Sequence, residues 1–226
     1  MKKIFTLALV ALLGIGVSDA QLVKSRTFDS VEKEKKDYNR ISVGYDAQFF
    51  SGDIEETVTG NGFNVMYNHG FALTSNVPLF LELGVGLGYN NGKYTTFENE
   101  RYKYEANLSN FWLKVPVNIA YRAKLTDNIS LLPYTGINFK INATVDAKET
   151  EHDLRNGDKD SESWSFFDDE MGGKRFQMGW QIGVGVNISK LFVGIQYGID
   201  FMPIVKNDYD FKINSSNLAV SVGYTW

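Results

Sequence analysis

The sequence predicts an all-β fold: an eight-stranded antiparallel up-and-down transmembrane β-barrel with short periplasmic turns and long extracellular loops. Three observations support this prediction. Eight segments alternate bulky apolar residues with small or polar ones, their connections alternate between short and long, and the chain ends on Trp226 after an alternating stretch that begins at Leu218. Alternation places every second side chain on one face of a strand. A closed barrel pairs the last strand with the first and so leaves no exposed edge.

The amino terminus predicts export. Two lysines precede an apolar run that ends at Val17, and small residues lead to Ala20. This is the pattern of a secretory signal peptide over residues 1–20, and the apolar run is shorter than the roughly 20 residues that a transmembrane helix needs. Residues 21–37 are polar and lysine-rich, and they predict a solvated periplasmic lead-in. The barrel domain is expected to occupy residues 38–226.

Composition narrows the class of protein. Lys and Arg number 23 against 27 Asp and Glu, and the net charge of −4 argues against a nucleic-acid partner. The sequence contains no Cys, so an exported chain of this kind is stabilised without disulfides. Aromatic residues make up 14% of the chain, and 21 Gly stand against 4 Pro, which favours strands. The length of 226 residues suits one domain.

The order of segments and connections predicts the topology. The predicted strands are Arg40–Phe50, Gly62–Ala72, Leu79–Asn90, Phe111–Arg122, Leu131–Val145, Phe176–Ile188, Leu191–Phe201 and Leu218–Trp226. The short connections are Leu73–Pro78, Lys124–Asn128 and Ser189-Lys190, and the long polar ones are Ser51–Asn61, Asn91–Asn107, Asp146–Lys174 and Ile204–Asn214. Short turns at one end and long loops at the other are typical of outer-membrane barrels, with both termini periplasmic.

The two faces of the strands decide between a membrane barrel and a soluble, ligand-carrying barrel. One face of each strand is bulky and apolar, with Val145 assigned to it, and the other is mostly Gly, Asn, Gln and Ser. Eight strands leave a narrow interior, so the bulky set is expected to face outer-membrane lipid. Strands of about 11 residues at ~3.3 Å, tilted by ~40°, span roughly 28 Å against an apolar band of ~25 Å.

The glycine-rich strands around Gly84–Gly88 and Gly183–Val186, together with the strand layout and the terminal Trp226, resemble the OmpA-type barrels. They resemble more closely the PorT-like outer-membrane barrel family of Bacteroidota. The resemblance covers Tyr38 to Trp226, and it implies the fold and an outer-membrane location but hardly any activity. It also implies that Tyr224 and Trp226 form an assembly signal that the barrel assembly machinery recognises.

Charged residues on the inward face are the candidate functional residues of the lumen. They are Asp46, Glu82, Lys114, Arg122, Lys140 and Asp200. A charge in a narrow lumen must be paired or hydrated. We expect these residues to form a salt-bridge plug, and the alternative is a gate or a selective water path. The pairing depends on the shear of the barrel, which the sequence does not determine.

No pattern in the sequence predicts catalysis, a cofactor or a metal site. His69 is expected at the lipid-facing side of its strand, and His152 lies in an acidic loop with Asp158, Asp160, Asp168, Asp169 and Glu170. That loop lacks the ligand spacing of a calcium loop. The expected protein is a non-enzymatic monomer whose loops either bind an unidentified extracellular ligand or shield the surface. A small passive channel and a component of a secretion system are the alternatives.

Overall fold

The computed structural model describes residues 36–53, 58–74, 77–99, 101–167, 173–206 and 212–226. The predicted signal peptide and nearly all of the predicted lead-in lie outside these residues, as do Asp168, Asp169 and Glu170 of the acidic loop. The strands are β1 (Tyr38–Gly52), β2 (Val58–Ala72), β3 (Leu79–Glu98), β4 (Tyr102–Tyr121), β5 (Ala123–Lys124), β6 (Ile129–Asp153), β7 (Lys159–Ser165), β8 (Phe176–Ile188), β9 (Leu191–Asp200), β10 (Val205–Lys206) and β11 (Lys212–Thr225). No helix among the described residues is long and apolar enough to cross a membrane.

Eight of the described strands form a closed antiparallel ring. Their order is β1, β2, β3, β4, β6, β8, β9 and β11, and β11 pairs with β1 to close it. The short strands β5 and β7 pair with β6, and β10 pairs with β11. The predicted eight-stranded up-and-down barrel is therefore confirmed. We call its two ends the short-turn rim, where β1 begins and β11 ends, and the long-hairpin rim.

Closure is continuous along the seam between β1 and β11. The register runs from Arg40 opposite Thr225 to Gly52 opposite Ile213. Beyond it, the amide of Trp226 donates to the carbonyl of Asn39 at 2.9 Å, and the amide of Asn39 donates to the carbonyl of Trp226 at the same distance. The backbone hydrogen bonds between the first and last strands therefore extend to the last residue of the chain.

Alternation along the strands separates the faces as predicted. Outward apolar side chains are exposed on every strand of the ring, among them Val43, Phe63, Leu87, Val115, Ile137, Phe176, Ile195 and Val220. The inward positions between them are buried and mostly polar, among them Asn64, Asn90, Asn118, Asn138, Gln181 and Gln48. A protein with this arrangement needs an apolar solvent around it, because only lipid accepts a continuous apolar belt of this extent.

Two of the predicted long loops are largely β-structure. β3 and β4 stay paired as far as Glu98 and Lys103, and β6 stays paired with β4 as far as Asp153. β7 adds a further strand to β6. These extensions form a four-stranded sheet beyond the long-hairpin rim, which we call the outer sheet. The loop prediction was wrong here because hydrophobic alternation marks only the part of a strand that faces lipid, whereas backbone pairing continues without it.

One strand changes its phase. Phe111 lies opposite Thr144 whereas the next residue, Trp112, lies opposite Asn142, so Ala143 is an extra residue in β6. A β-bulge of this kind shifts all following side chains to the other face. Val145 is consequently buried inside the barrel at 2% exposure, and its predicted outward position was wrong.

Candidate functional site: the barrel lumen

The half of the lumen near the short-turn rim is organised around the carboxylate of Glu82. Arg40 Nη2 donates to both carboxylate oxygens, at 2.9 and 2.8 Å, the Tyr38 hydroxyl donates at 2.8 Å and Asn118 Nδ2 at 3.2 Å. Gln181 Nε2 in turn donates to Asn118 Oδ1 at 2.8 Å. The side chains of Arg40 and Glu82 are 4% and 1% exposed. This is a buried, charge-assisted pair in which the carboxylate accepts four hydrogen bonds, whereas Arg40 Nε and Nη1 are buried without a hydrogen-bond partner.

A second charged group lies across the middle of the lumen. Asp46 accepts from Asn217 Nδ2 at 2.8 Å and from Asn90 Nδ2 at 3.1 Å, and the indole of Trp112 donates to Asn90 Oδ1 at 2.7 Å. The ammonium group of Lys114 lies 4.9 Å from the centroid of the Trp112 ring, a cation–π contact. The middle layer thus combines one carboxylate, one ammonium group and two amides that donate to the carboxylate.

A third charged group lies nearer the long-hairpin rim. Asp200 accepts hydrogen bonds from Lys140 and from the Ser215 hydroxyl, and the side chains of Lys140 and Asp200 are 6% and 8% exposed. Gln177 Nε2 also donates to Ser215 Oγ at 3.2 Å. An amide chain continues from there, in which Asn142 donates to Gln177 Oε1 at 2.8 Å. Polar side chains therefore fill the lumen over several layers.

Apolar clusters close the polar interior at both ends. Near the short-turn rim the cluster consists of Tyr38, Phe80, Ala120, Leu132, Tyr134 and Phe192. Near the long-hairpin rim it consists of Phe50, Val145, Ile204 and Val205, with Leu108, Phe166 and Phe167 packed against it. The sequence interpretation, in which bulky residues are excluded from the interior, was wrong at these positions.

Inward glycines make room for the inward aromatic rings. A Cβ atom at Gly88 would lie 2.2 Å from Trp112 Cζ2, and one at Gly185 would lie 2.1 Å from Phe192 Cε2. Both distances are shorter than real Cβ contacts, so the rings occupy the space that the missing side chains leave. The glycines of β3 and β8 thus explain how an eight-stranded interior accommodates large rings.

A small cavity lies among the charged residues of the lumen. It is a cavity of ≈ 40 Å³ whose lining includes Arg40, Asp46, Glu82, Lys114 and Ser221. A polar cavity of this volume has room for a few water molecules. Tyr134 and Phe192 of the cluster near the short-turn rim also line it.

The six predicted lumen charges occupy four places. Asp46 and Lys114 line the central cavity, and Lys140 pairs with Asp200. Glu82 pairs with Arg40. The prediction omitted Arg40, although it lies on the same face of β1 as Asp46. Arg122 lies at the short-turn rim instead, with its guanidinium 4.4 Å from the Tyr38 ring centroid and 4.9 Å from that of Phe80. Arg122 therefore covers the apolar cluster at that rim.

The two residues of the predicted assembly signal lie on the outside of the short-turn rim. Tyr224 and Trp226 are 48% and 50% exposed, and their rings stack with centroids 5.9 Å apart. The ammonium group of Lys190 lies 5.6 Å from the Tyr224 centroid. An aromatic pair beside a lysine is typical of side chains at a membrane interface.

Neither histidine belongs to the lumen. His69 Nδ1 lies 2.7 Å from Asn39 Oδ1, which also accepts from the Tyr67 hydroxyl at 2.7 Å. His152 Nε2 lies 3.2 Å from Glu105 Oε2 in the outer sheet. Within the described ranges, no group of three or more His, Asp or Glu side chains is arranged to hold a metal ion.

Glu105 is the centre of the charged groups on the outward face of the outer sheet. Lys93 Nζ lies 2.6 Å from Glu105 Oε2, and Lys103 Nζ lies 3.2 Å from Oε1. Hydrogen bonds from these two ammonium groups lower the pKa of Glu105 to about 2. The carboxylate therefore stays ionised in any ordinary medium.

A closed ring of eight strands with an apolar exterior and a filled polar interior defines an integral membrane β-barrel. The chain belongs to the family of the outer membrane protein beta-barrel domain, whose model matches residues 5–225. The family places the protein in the outer membrane. No curated protein sequence matches the chain.

Solved outer-membrane barrels are similar to the chain at low sequence identity. Ail, the attachment invasion locus protein of Yersinia pestis, is 15% identical, with 84% of this chain and 99% of Ail covered and a TM-score of 0.42. The outer membrane enzyme PagL is 14% identical, with coverages of 80% and 97% and a TM-score of 0.43. A major outer membrane protein from Thermus thermophilus is 14% identical, with coverages of 83% and 99% and a TM-score of 0.37. Likenesses at this level carry no functional assignment.

Proposed function

We propose that the protein is a non-enzymatic, monomeric outer-membrane barrel whose lumen is closed and whose role is performed by its long hairpins. The observation that carries this proposal is the filling of the lumen. Charged pairs and amides occupy the interior in layers, and an apolar cluster covers each end. Ions crossing this interior would have to break buried ion pairs and lose their hydration in an apolar layer, both of which cost several kcal/mol.

His69 interacts with Asn39 and His152 with Glu105, and both lie on the outward surface, away from the lumen. The outer sheet and the long hairpins are the parts of the chain that project from the barrel, and they therefore provide the surface for a structural or binding role. We place this surface on the extracellular side, with both ends of the ring in the periplasm, because short periplasmic turns and longer extracellular loops are the rule in this class.

Conductance in planar bilayers tests the closed lumen. We expect the wild-type protein to give no steady ion current. The positive control is a quadruple variant. Phe80→Ala and Phe192→Ala open the cluster at the short-turn rim, and Val145→Ala and Ile204→Ala open the cluster at the other rim. A large, steady current from the wild-type protein would contradict the closed lumen and favour the alternative of a small passive channel.

Two finer proposals rest on sequence features. Membership of the PorT-like barrels of Bacteroidota rests on the glycine-rich strands around Gly86 and Gly185 and on the terminal Trp226. Participation in an outer-membrane secretion system would follow from that membership. Co-purification of the protein from its native membrane, after mild crosslinking, tests this participation, and recovery of the barrel alone would contradict it.

A further inference from the structure

The outward face of the outer sheet carries two exposed lysines in one cross-strand row next to the membrane. Lys93 of β3 lies opposite Asn107 of β4, Asn107 lies opposite Lys148 of β6, and Lys148 lies opposite Ser163 of β7. We call these four residues the basic row. The opposite face of the same strands carries Glu149, Glu151, Asp153, Asp160 and Glu162. The outward face is mixed, because Glu105 and the exposed Asp146 share it with the lysines, whereas the opposite face is acidic.

The lysines of the basic row are accessible. Lys148 is exposed, and the side chain of Lys93 is 59% exposed although it contacts Glu105. Glu105 also binds Lys103 and His152, so its single charge is shared among several cationic partners. Lys93 therefore has donor capacity for a further anion.

The basic row continues the lipid-facing surface. Tyr89 and Phe111 lie opposite each other, are 37% and 40% exposed, and form the upper edge of the apolar belt on β3 and β4. Lys93 follows Tyr89 by four residues, which is ~13 Å along the strand and ~10 Å of height at a tilt of ~40°. The polar headgroup region extends roughly 5–8 Å beyond the hydrocarbon core, and lysine side chains can bend back toward it. The ammonium group of Lys93 thus reaches the depth of lipid phosphates, and Lys148 lies two strands away in the same cross-strand row.

We propose that the basic row binds the phosphate groups of a phosphorylated, multiply acylated glycolipid in the outer leaflet. Tyr89 and Phe111 contact the acyl chains of the same lipid, while Lys93 and Lys148 donate hydrogen bonds to its phosphate oxygens. The assignment to the outer leaflet rests on the orientation proposed above. The lipid is preferred over a soluble polyanion because the cations lie directly above an apolar surface that a soluble ligand would not use.

The test measures retention of a bis-phosphorylated lipid A by the folded protein in a non-ionic detergent, using native mass spectrometry. The variant is Lys93→Gln/Lys148→Gln, and the matched control is Lys124→Gln/Lys190→Gln at the short-turn rim, which removes the same charge. We expect the first variant to bind the lipid about tenfold more weakly than the wild type, since each lysine near an anionic lipid surface adds to binding. The control is expected to bind like the wild type. Glu105→Gln, which removes a competing carboxylate, is expected to bind more tightly.

Several outcomes would overturn the proposal. One is equal retention by the wild type and both double variants, with each shown to be folded by its migration in unheated gels. Another is displacement of the lipid by millimolar inorganic phosphate, because the site would then recognise a free phosphate. A third is loss of binding to heparin in Lys93→Gln/Lys148→Gln with unchanged lipid retention, which would assign the row to a soluble polyanion. The measurement in detergent does not depend on orientation, which protease access to intact cells tests separately.

Discussion

At the scale of single residues, four hydrogen bonds meet on the carboxylate of Glu82. They come from Tyr38 and Arg40 on β1 and from Asn118 on β4. The guanidinium of Arg40 also lies 4.1 Å from the Phe192 ring centroid, so the pair joins the polar interior to the apolar cluster at the short-turn rim. Loss of either partner leaves the other charge buried without compensation.

Replacement of Glu82 by Ala is therefore expected to destabilise the barrel strongly. Removing one partner of a buried ion pair costs about 3–5 kcal/mol in a dry interior and less in a hydrated one. The measurement is the free energy of unfolding in urea, with the protein inserted in lipid vesicles. Ser221→Ala, at another residue that lines the central cavity, is the control and is expected to cost clearly less. Equal losses for the two variants would contradict a special role of Glu82.

The alternation of the sequence predicted which charged side chains point inward, but it did not predict which of them pair. Parity placed Asp46, Glu82, Lys114, Lys140 and Asp200 inside, and the structure has them there. Whether Glu82 meets Arg40 or Lys114 depends on how far neighbouring strands are shifted, which is the shear of the barrel. A period-two pattern contains no information on that shift. The same limit applies to the inward rings, since Phe80 and Phe192 lie at positions where the pattern predicted small or polar residues.

At the scale of elements, the pairing of β11 with β1 depends on the final residue. Trp226 forms two backbone hydrogen bonds with Asn39, and its ring stacks on Tyr224. Unpaired backbone groups in a membrane cost several kcal/mol each. The seam therefore needs both the backbone and the aromatic side chain of this residue.

Deletion of Trp226, or its replacement by Asp, is expected to leave export intact but to accumulate unfolded, protease-sensitive protein in the periplasm. Trp226→Phe is expected to be nearly silent because it keeps the backbone bonds and an interfacial ring. The measurement is the fraction of heat-modifiable protein in outer-membrane fractions. Assembly of the deletion variant as efficient as that of the wild type would show that the residue is an ordinary strand end.

Packing between β3 and β4 depends on the missing side chain of Gly88. In Gly88→Ala the new Cβ would collide with the Trp112 ring, and overpacking of this kind costs about 1–3 kcal/mol. Gly60→Ala is the matched control, because its Cβ would meet its nearest neighbour at an ordinary 3.6 Å. Near-ultraviolet circular dichroism and unfolding in urea measure the effect. A Gly88 variant that equals the Gly60 variant in both would show that the Trp112 ring moves aside without cost.

The sequence predicted the lipid-facing part of each element well and its outer part poorly. Apolar alternation stops near Tyr89 and Phe111, where the belt ends, although β3 and β4 remain paired for several further residues. Strand pairing there is maintained by backbone hydrogen bonds and by charged neighbours such as Lys93 and Glu105. Local composition does not distinguish such a pair from a polar loop. The bulge at Ala143 was missed for a similar reason, since it interrupts the alternation by only one residue.

At the scale of the whole molecule, the closed ring makes the barrel resistant to detergent. Every strand of the ring has two neighbours among the described strands, so its backbone groups are bonded within the protein. We expect unboiled protein in SDS to migrate differently from boiled protein. A control sample refolded without lipid or detergent micelles should migrate like the boiled one. Identical migration of membrane-inserted protein before and after boiling would count against the closed barrel.

The length of β6 determines how far the protein extends from the membrane. The strand has 25 residues, which corresponds to ~80 Å along its axis, whereas crossing the hydrocarbon takes only about 11. Beyond its end, Gly157 has a φ of +79° and no other heavy atom near its Cβ position. This turn is supported by hydrogen-bonded β-structure rather than by a flexible segment. In the orientation proposed above, a short peptide inserted at Gly157 would be held at a fixed height above the lipid surface, where antibodies and other cells can reach it.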